Sequence, residues 1–378
     1  MTYIQRMLKV ADRVKEPAIG RQAALKLRDV LQEAPSLRLR QQARNRRPSG
    51  RCGTVDFTLE LRAGNEPWVL LGEARSSGQP RHLRQAALEA KEAAAGFRAR
   101  SKRLGVYPVV AAPFISEASA EICHELGVGY VDLAGNCRLA FGSVYIERRT
   151  PANPFSTKRG QRSLFAPKTA RVLKVLLAEP RKAWKVVELA AKAQVSVGQV
   201  SSVRRLLQDR EWGEPAEQGF ALTQPEALLQ AWRSAYRPSM TSAPAYTLLH
   251  GEALDRAVKE ALRDAGKGEH ALLASFSAAR TMAPFARVAT LFLLVDGEGE
   301  PIVRERLSLQ GASKGENVVL LRPQDDGLLL DRVEMSPGLW ATSPVQTYLD
   351  LTAGGERGTE AAEHLLREVI TPRWKKGA

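Results

Sequence analysis

Between Pro167 and Leu222 the apolar residues recur at helical spacing in three short runs, each closed by a breaker or a cap, which leaves room only for tight turns between helices. Pro167 suits the first turn of a helix, where its missing N–H costs nothing. Val172, Leu173, Leu176 and Leu177 then share one face, and the run ends near Pro180. Trp184 to Ala193 makes a second short helix with Val187, Leu189 and Ala190 available for packing; Val195 marks the turn, and Ser196 is placed to cap the third. In that third run Val200, Val203 and Leu207 form an i, i+3, i+7 stripe with Leu206 beside it. Trp212 to Leu222 carries a turn signal at Gln218-Gly219 followed by Phe220-Ala221-Leu222, the expected shape of a wing. The pattern predicts a winged helix-turn-helix over residues 161–236.

Burying that stripe leaves Gly198, Ser201, Ser202 and Arg205 on the opposite face, with Ser196, Gln199 and Arg204 flanking it. Small residues let a helix axis sink close to base edges, and an arginine reaches a guanine edge or a phosphate with a bidentate fork. Lys168, Arg171, Lys174, Arg181, Lys182 and Lys185 precede this face and are expected to clamp the phosphate backbone. The wing carries Glu211, Glu214 and Glu217, the wrong charge for phosphate, so recognition is assigned to the third helix.

Composition agrees with a polyanionic partner. The 378 residues carry 56 Lys and Arg against 41 Asp and Glu, a formal charge of +15. With 44% hydrophobic residues the chain can bury a sizeable core, and its length calls for more than one domain. The most apolar run, Val288 to Val295, is far short of the roughly 20 residues that span a bilayer, and no secretion signal opens the chain, so a cytoplasmic location without membrane attachment is expected. Cys52, Cys123 and Cys137 have no paired spacing and read as free thiols.

Breaks at Arg148 to Gly160 and at Arg237 to Pro244 read as linkers, dividing the chain into blocks 1–155, 161–236 and 245–378. The first block opens with an amphipathic helix ending near Pro35. Alternation from Thr54 to Leu61 and the run Trp68 to Leu71 predict two neighbouring strands, and Gln79 to Leu104 predicts one long helix. Strands over Val106 to Ile115 and Tyr130 to Ile146, around a helix at Ser116 to Leu126, complete an α/β domain. Asp56 on one strand and Glu73-Ala74-Arg75 after the next resemble the PD-(D/E)XK restriction-endonuclease-like core, which implies Asp56 and Glu73 as magnesium ligands. Arg75 stands where that core has a lysine, and a guanidinium is no substitute for a tunable ammonium. A basic run, Arg38, Arg40, Arg44, Arg46, Arg47 and Arg51, is a further candidate for backbone contact.

The last block reads as a second α/β unit, with a helix at Gly251 to Ala265, strands at Ala271 to Ala274, Val288 to Val295 and Val318 to Leu321, and helices near Ser343 and Glu356. Asp296 ends a strand without the D-x-D pair of a nucleotidyltransferase and reads as a turn residue.

Several stretches resemble the transcriptional regulators related to the AbiEi antitoxins of type IV toxin–antitoxin systems. They are Val55-Asp56 with Gly72-Glu73, Tyr130 to Asn136, the winged helix, Ser277-Ala278-Ala279 through Ala283-Pro284, Ser343 to Leu351, and Arg357-Gly358 to Ala362. The resemblance implies a repressor that binds duplex operator DNA through its winged helix and counteracts a nucleotidyltransferase-type toxin. The expected architecture is therefore multidomain α/β: a restriction-endonuclease-like domain, a central winged helix-turn-helix and a C-terminal α/β domain. The alternative is a magnesium-dependent nuclease built on Asp56, Glu73 and Arg75, and only that alternative calls for a cofactor.

Overall fold

The computed structural model describes residues 16–34, 36–39, 55–101, 103–150, 154, 164–285, 288–312, 314–325 and 327–376. Arg40, Arg44, Arg46, Arg47, Arg51, Cys52 and most of the break at 148–160 lie outside them. The chain divides near Lys158 into two compact units, with Gln208–Glu211 grouped with the first.

The first unit is a seven-stranded sheet in sequential order with helices on both faces. Helix α1 (Glu16–Gln32) is followed by β1 (Leu37–Leu39), β2 (Phe57–Ala63), β3 (Glu66–Ala74), α2 (Pro80–Arg100), β4 (Gly105–Ala112), α3 (Glu117–Glu125), β5 (Gly129–Asp132), β6 (Cys137–Phe141) and β7 (Val144–Arg148). Strands β3, β4 and β5 run parallel and the outer pairs antiparallel. The helix α2 connects β3 to β4, as a parallel pair requires. Successive side chains of β4 serve opposite faces: Val109 and Ala111 pack with Ile19, Leu27 and Leu31 of α1, while Val110 and Ala112 pack with Leu83, Ala86 and Ala90 of α2. That is why β4 reads as an unbroken apolar run, whereas β2 alternates. The alanine face of α2 lets the helix lie close to the sheet. The α-β-β-α-β-α-β-β order read from the sequence appears with two added strands: β1 at the edge, and a third strand in the stretch from Tyr130 to Ile146, which resolves into β5, β6 and β7.

In the second unit α4 (Pro167–Ala178), α5 (Val186–Ala193) and α6 (Val197–Asp209) are followed by the hairpin β8 (Gly213–Ala216) and β9 (Gly219–Leu222) and by α7 (Pro225–Ala235). The turn before α6 is made at Gln194, in the left-handed region with φ 51°. The hairpin is tied back to the helices where Trp184 and Phe220 exchange backbone hydrogen bonds of 2.9 and 3.0 Å. A β-carbon at Gly219 would come within 2.3 Å of the Trp184 carbonyl oxygen, so this close approach needs glycine.

The remainder is a mixed seven-stranded sheet: β10 (Met240–Tyr246), β11 (Ala271–Leu273), β12 (Leu291–Val295), β13 (Gln310–Gly311), β14 (Val318–Pro323), β15 (Arg332–Ser336) and β16 (Leu339–Thr342), in the order β13-β10-β14-β12-β11-β16-β15. Between them lie α8 (Gly251–Asp264), α9 (Ser275–Met282), α10 (Gly299–Arg306) and the short α11 (Gly327–Leu330). After them come α12 (Pro344–Thr352), α13 (Gly355–Leu365), a π-helical turn (Leu366–Ile370) and α14 (Thr371–Lys376). The break expected at Arg237 to Pro244 is corrected here: Met240–Tyr246 is strand β10, paired antiparallel along β14. One hydrophobic cluster runs from Leu164 and Val172 through Leu207 and Phe220 to Tyr348, Leu365 and Trp374. Helices α4 to α7 and the C-terminal helices thus share a core, and Trp374 Nε1 donates to the Leu177 carbonyl at 2.7 Å. No helix among the described residues is long and apolar enough to cross a membrane.

Candidate nucleic-acid interface

Helix α6 buries Val200, Val203 and Leu207 completely. Its first turn is capped as the sequence predicts, the Gln199 amide donating to Ser196 Oγ at 3.2 Å. Ser196, Val197, Gly198, Ser201, Ser202 and Arg205 are exposed together. Ser201 and Ser202 donate their hydroxyl protons back to the carbonyls of Val197 and Gly198, each at 3.0 Å. Their oxygens therefore face outward as acceptors, and the helix surface between them is low and bare. Arg205 rises from the next turn as the long side chain of this face.

The flanking residues divide. Gln199 is half-buried and donates through Nε2 to Thr169 Oγ1 at 2.9 Å, tying α6 to α4. Arg204 is half-buried with its guanidinium 5.3 Å from the Phe220 ring centre. Lys168 and Lys185 are exposed, as are Arg181 and Lys182. Lys182 bonds Glu188 at 2.7 Å while lying over the Trp184 ring. Arg171 is ion-paired to Asp325 through two nitrogens at 3.2 and 2.6 Å. Lys174, expected on the phosphate-facing side, is corrected: it is 3% exposed, and burial pulls its pKa down against the opposing pull of Asp331. The β8–β9 hairpin presents Glu214 and Glu217 to solvent.

Two apolar side chains of these helices are exposed: Val197, which sequence reading did not single out, and Val187, which was expected to pack and is corrected here. Val197, 49% exposed, stands at the first position of α6, and Val187, 70% exposed, stands on α5. The signal available for Val197 was its absence from the buried stripe of α6.

In the first unit Asp56 and Glu73 are brought together. The Asp56 amide donates to the Gly72 carbonyl at 2.9 Å, and Asp56 Oδ2 accepts the Ala74 amide at 2.8 Å. Glu73 is buried, and its carboxyl is pushed up to about 7, chiefly by burial and then by the Asp56 charge, with Arg75 opposing. Arg75 lies 3.6 Å from Glu73 and pairs with Glu89 of α2, which Gln85 also bonds at 2.9 Å. Glu89 is the member of this cluster that sequence reading missed. The Arg75 guanidinium is engaged with Glu73 and Glu89, one Asp56 oxygen accepts a backbone amide, and no group of three or more His, Cys, Asp or Glu among the described residues is arranged to hold a metal. This set does not fit a magnesium ion.

Asp296 behaves as a turn residue. Its Oδ1 accepts the amides of Glu298 and Gly299 at 3.0 and 2.8 Å before α10, and Oδ2 bonds His270 Nδ1 at 2.8 Å.

Residues 221–371 match the family model described as transcriptional regulator, AbiEi antitoxin, type IV TA system. The match begins in β9 and takes in the whole C-terminal sheet, leaving α4, α5 and α6 outside it. Comparison with curated proteins and with solved structures gives no match.

Proposed function

We propose that this chain is a sequence-specific DNA-binding transcriptional regulator of the antitoxin type, which reads the major groove of duplex DNA with α6. The observation that carries the reading is the outward face of that helix. Its N-terminal half offers Gly198, Ser201 and Ser202, Arg205 follows one turn later, and the exposed ammonium groups of Lys168 and Lys185 lie on the neighbouring helices. The N-terminal residues of a recognition helix are those that meet base edges, and lysines beside it supply affinity through phosphate without sequence information. The family match over residues 221–371 supports a regulator of a type IV toxin–antitoxin system. On that reading the counteracted protein is a nucleotidyltransferase-type toxin.

The test is selection of a preferred duplex from a random library by the full chain, followed by footprinting with Arg205→Ala combined with Ser202→Ala. The combined variant folds and loses the footprint. An unchanged footprint removes α6 as the reading element. Lys168→Ala and Lys185→Ala weaken preferred and scrambled duplexes alike, each lowering the slope of log affinity against log salt by about 1.

A further inference from the structure

The most deeply buried charge of the helix-turn-helix points away from its DNA face. Lys174 Nζ lies 3.7 Å from a carboxylate oxygen of Asp331, whose own side chain is 26% exposed. Asp331 is fixed from α12: the Ser343 amide donates to its carbonyl at 3.0 Å, and Ser343 Oγ donates to its carboxylate. Ser343 also caps α12, accepting the Gln346 amide at 3.2 Å. Deeper along the same helix Asp350 Oδ1 accepts from Tyr236 OH at 2.6 Å and from Gln346 Nε2 at 2.8 Å. Its buried Oδ2 takes no hydrogen bond from the described residues. Lys174 is the cation whose charge opposes the effect of burial on that carboxyl. The Ser343-to-Leu351 stretch, whose residues from Pro344 to Leu351 are all buried, is therefore a polar socket within an apolar core.

Arg171, three residues before Lys174 and on the same side of α4, makes its two-nitrogen pair with Asp325. A methyl group at Gly327 would lie 2.2 Å from Arg171 Nε and 2.4 Å from Asp325 Oδ2, so the pair sits in a fitted seat. At the start of α4, buried Thr169 holds Gln199 of α6. Apolar faces can slide or repack with little penalty, whereas directional charge pairs fix a helix's rotation about its axis. The helix that carries these pairs is the one α6 is bonded to.

We propose that Lys174 and Arg171 are positioning residues for DNA reading, seating α4 on Asp331 and Asp325 of the C-terminal part so that this part sets the pose of α6. The proposal rests on α6 being the recognition helix. It also supplies a route for regulation, because a partner that shifts the Asp325-to-Asp331 segment or the socket changes DNA affinity, and DNA changes the partner's affinity by the same factor.

The experiment uses the full chain, the duplex it selects from a random library and a scrambled duplex, measured by fluorescence anisotropy across a salt series. Asp331→Asn and Lys174→Met each lower affinity for the selected duplex about tenfold, and the double variant is no worse than either. The salt slope and the scrambled-duplex affinity stay at wild-type values, because a buried lysine releases no counterion. Thermal melting verifies folding. Should Lys174→Met fail to fold, Gly327→Ala, which wedges the second pair while keeping both charges, shows the same selective loss. A folded Asp331→Asn with the wild-type ratio of selected to scrambled affinity overturns the proposal, and so does a Lys174→Met salt slope reduced by about 1, which would place Lys174 on phosphate. A wild-type chain that selects no duplex removes the recognition-helix reading itself, a distinct outcome.

Discussion

Val197 begins α6 half exposed, beside Gly198 and one turn before Ser201. A branched apolar side chain at that place is suited to the C5-methyl group of thymine, the one apolar feature of the major groove. Replacing thymines by uracils in the selected duplex, one position at a time, is expected to weaken wild-type binding several-fold at one or two positions. Val197→Ala should bind the thymine and uracil duplexes equally. Glu73 makes a second prediction. Its carboxyl titrates near 7 in the folded chain against an ordinary value of 4.5, so the folded state binds the proton more tightly. The contribution of Glu73 to stability is then greatest below about pH 4.5, falls as pH rises to about 7 and is level above it, a loss from this one group on the order of 2–4 kcal/mol. Glu73→Gln should therefore raise the melting temperature at pH 8 and lose that advantage near pH 4.5. The buried stripe of α6 was legible in sequence because periodicity alone decides it. The inward turn of Lys174 was not, because a lysine's direction depends on Asp331, far along the chain.

At the scale of elements, α6 depends on its cap. Ser196→Ala should cost about 1 kcal/mol and lower the melting temperature, since it removes the acceptor for the Gln199 amide. The wing is acidic at Glu214 and Glu217, both exposed. Changing both to lysine is expected to strengthen scrambled-duplex binding and steepen the salt dependence without altering which duplex is preferred. A shift in preference instead would give the wing a part in reading. Helices α4 to α6, and the strands around α2, were readable because each buries one face at a fixed period. Strand β10 was not, because Met240–Tyr246 carries Thr241, Ser242 and Pro244 and reads as a turn until β14 is there to pair with it. The pair β15 and β16 was hidden for a related reason: β15 is mostly half-buried or exposed at the sheet's edge, so no apolar run marks it.

Across the whole molecule, the shared core from Leu164 to Trp374 joins helices α4 to α6 to the part that matches the antitoxin regulators. Sequence punctuation suggested a linker there because it registers breakers and is blind to packing. In the first unit Arg75 is engaged with Glu73 and Glu89, so incubation of plasmid with the protein and magnesium is expected to leave it intact, and Asp56→Ala to behave identically. Magnesium-dependent nicking that Asp56→Ala abolishes would restore a nuclease. The charge of +15 favours any polyanion, so binding to DNA alone does not distinguish reading from attraction. Methylation interference on the selected duplex does. Methyl groups at guanine N7, in the major groove, should block the wild-type chain at one or more guanines, and Arg205→Ala should lose that sensitivity while still binding weakly. An interference pattern absent from the major groove, or identical in wild type and Arg205→Ala, would contradict α6 as the element that reads DNA.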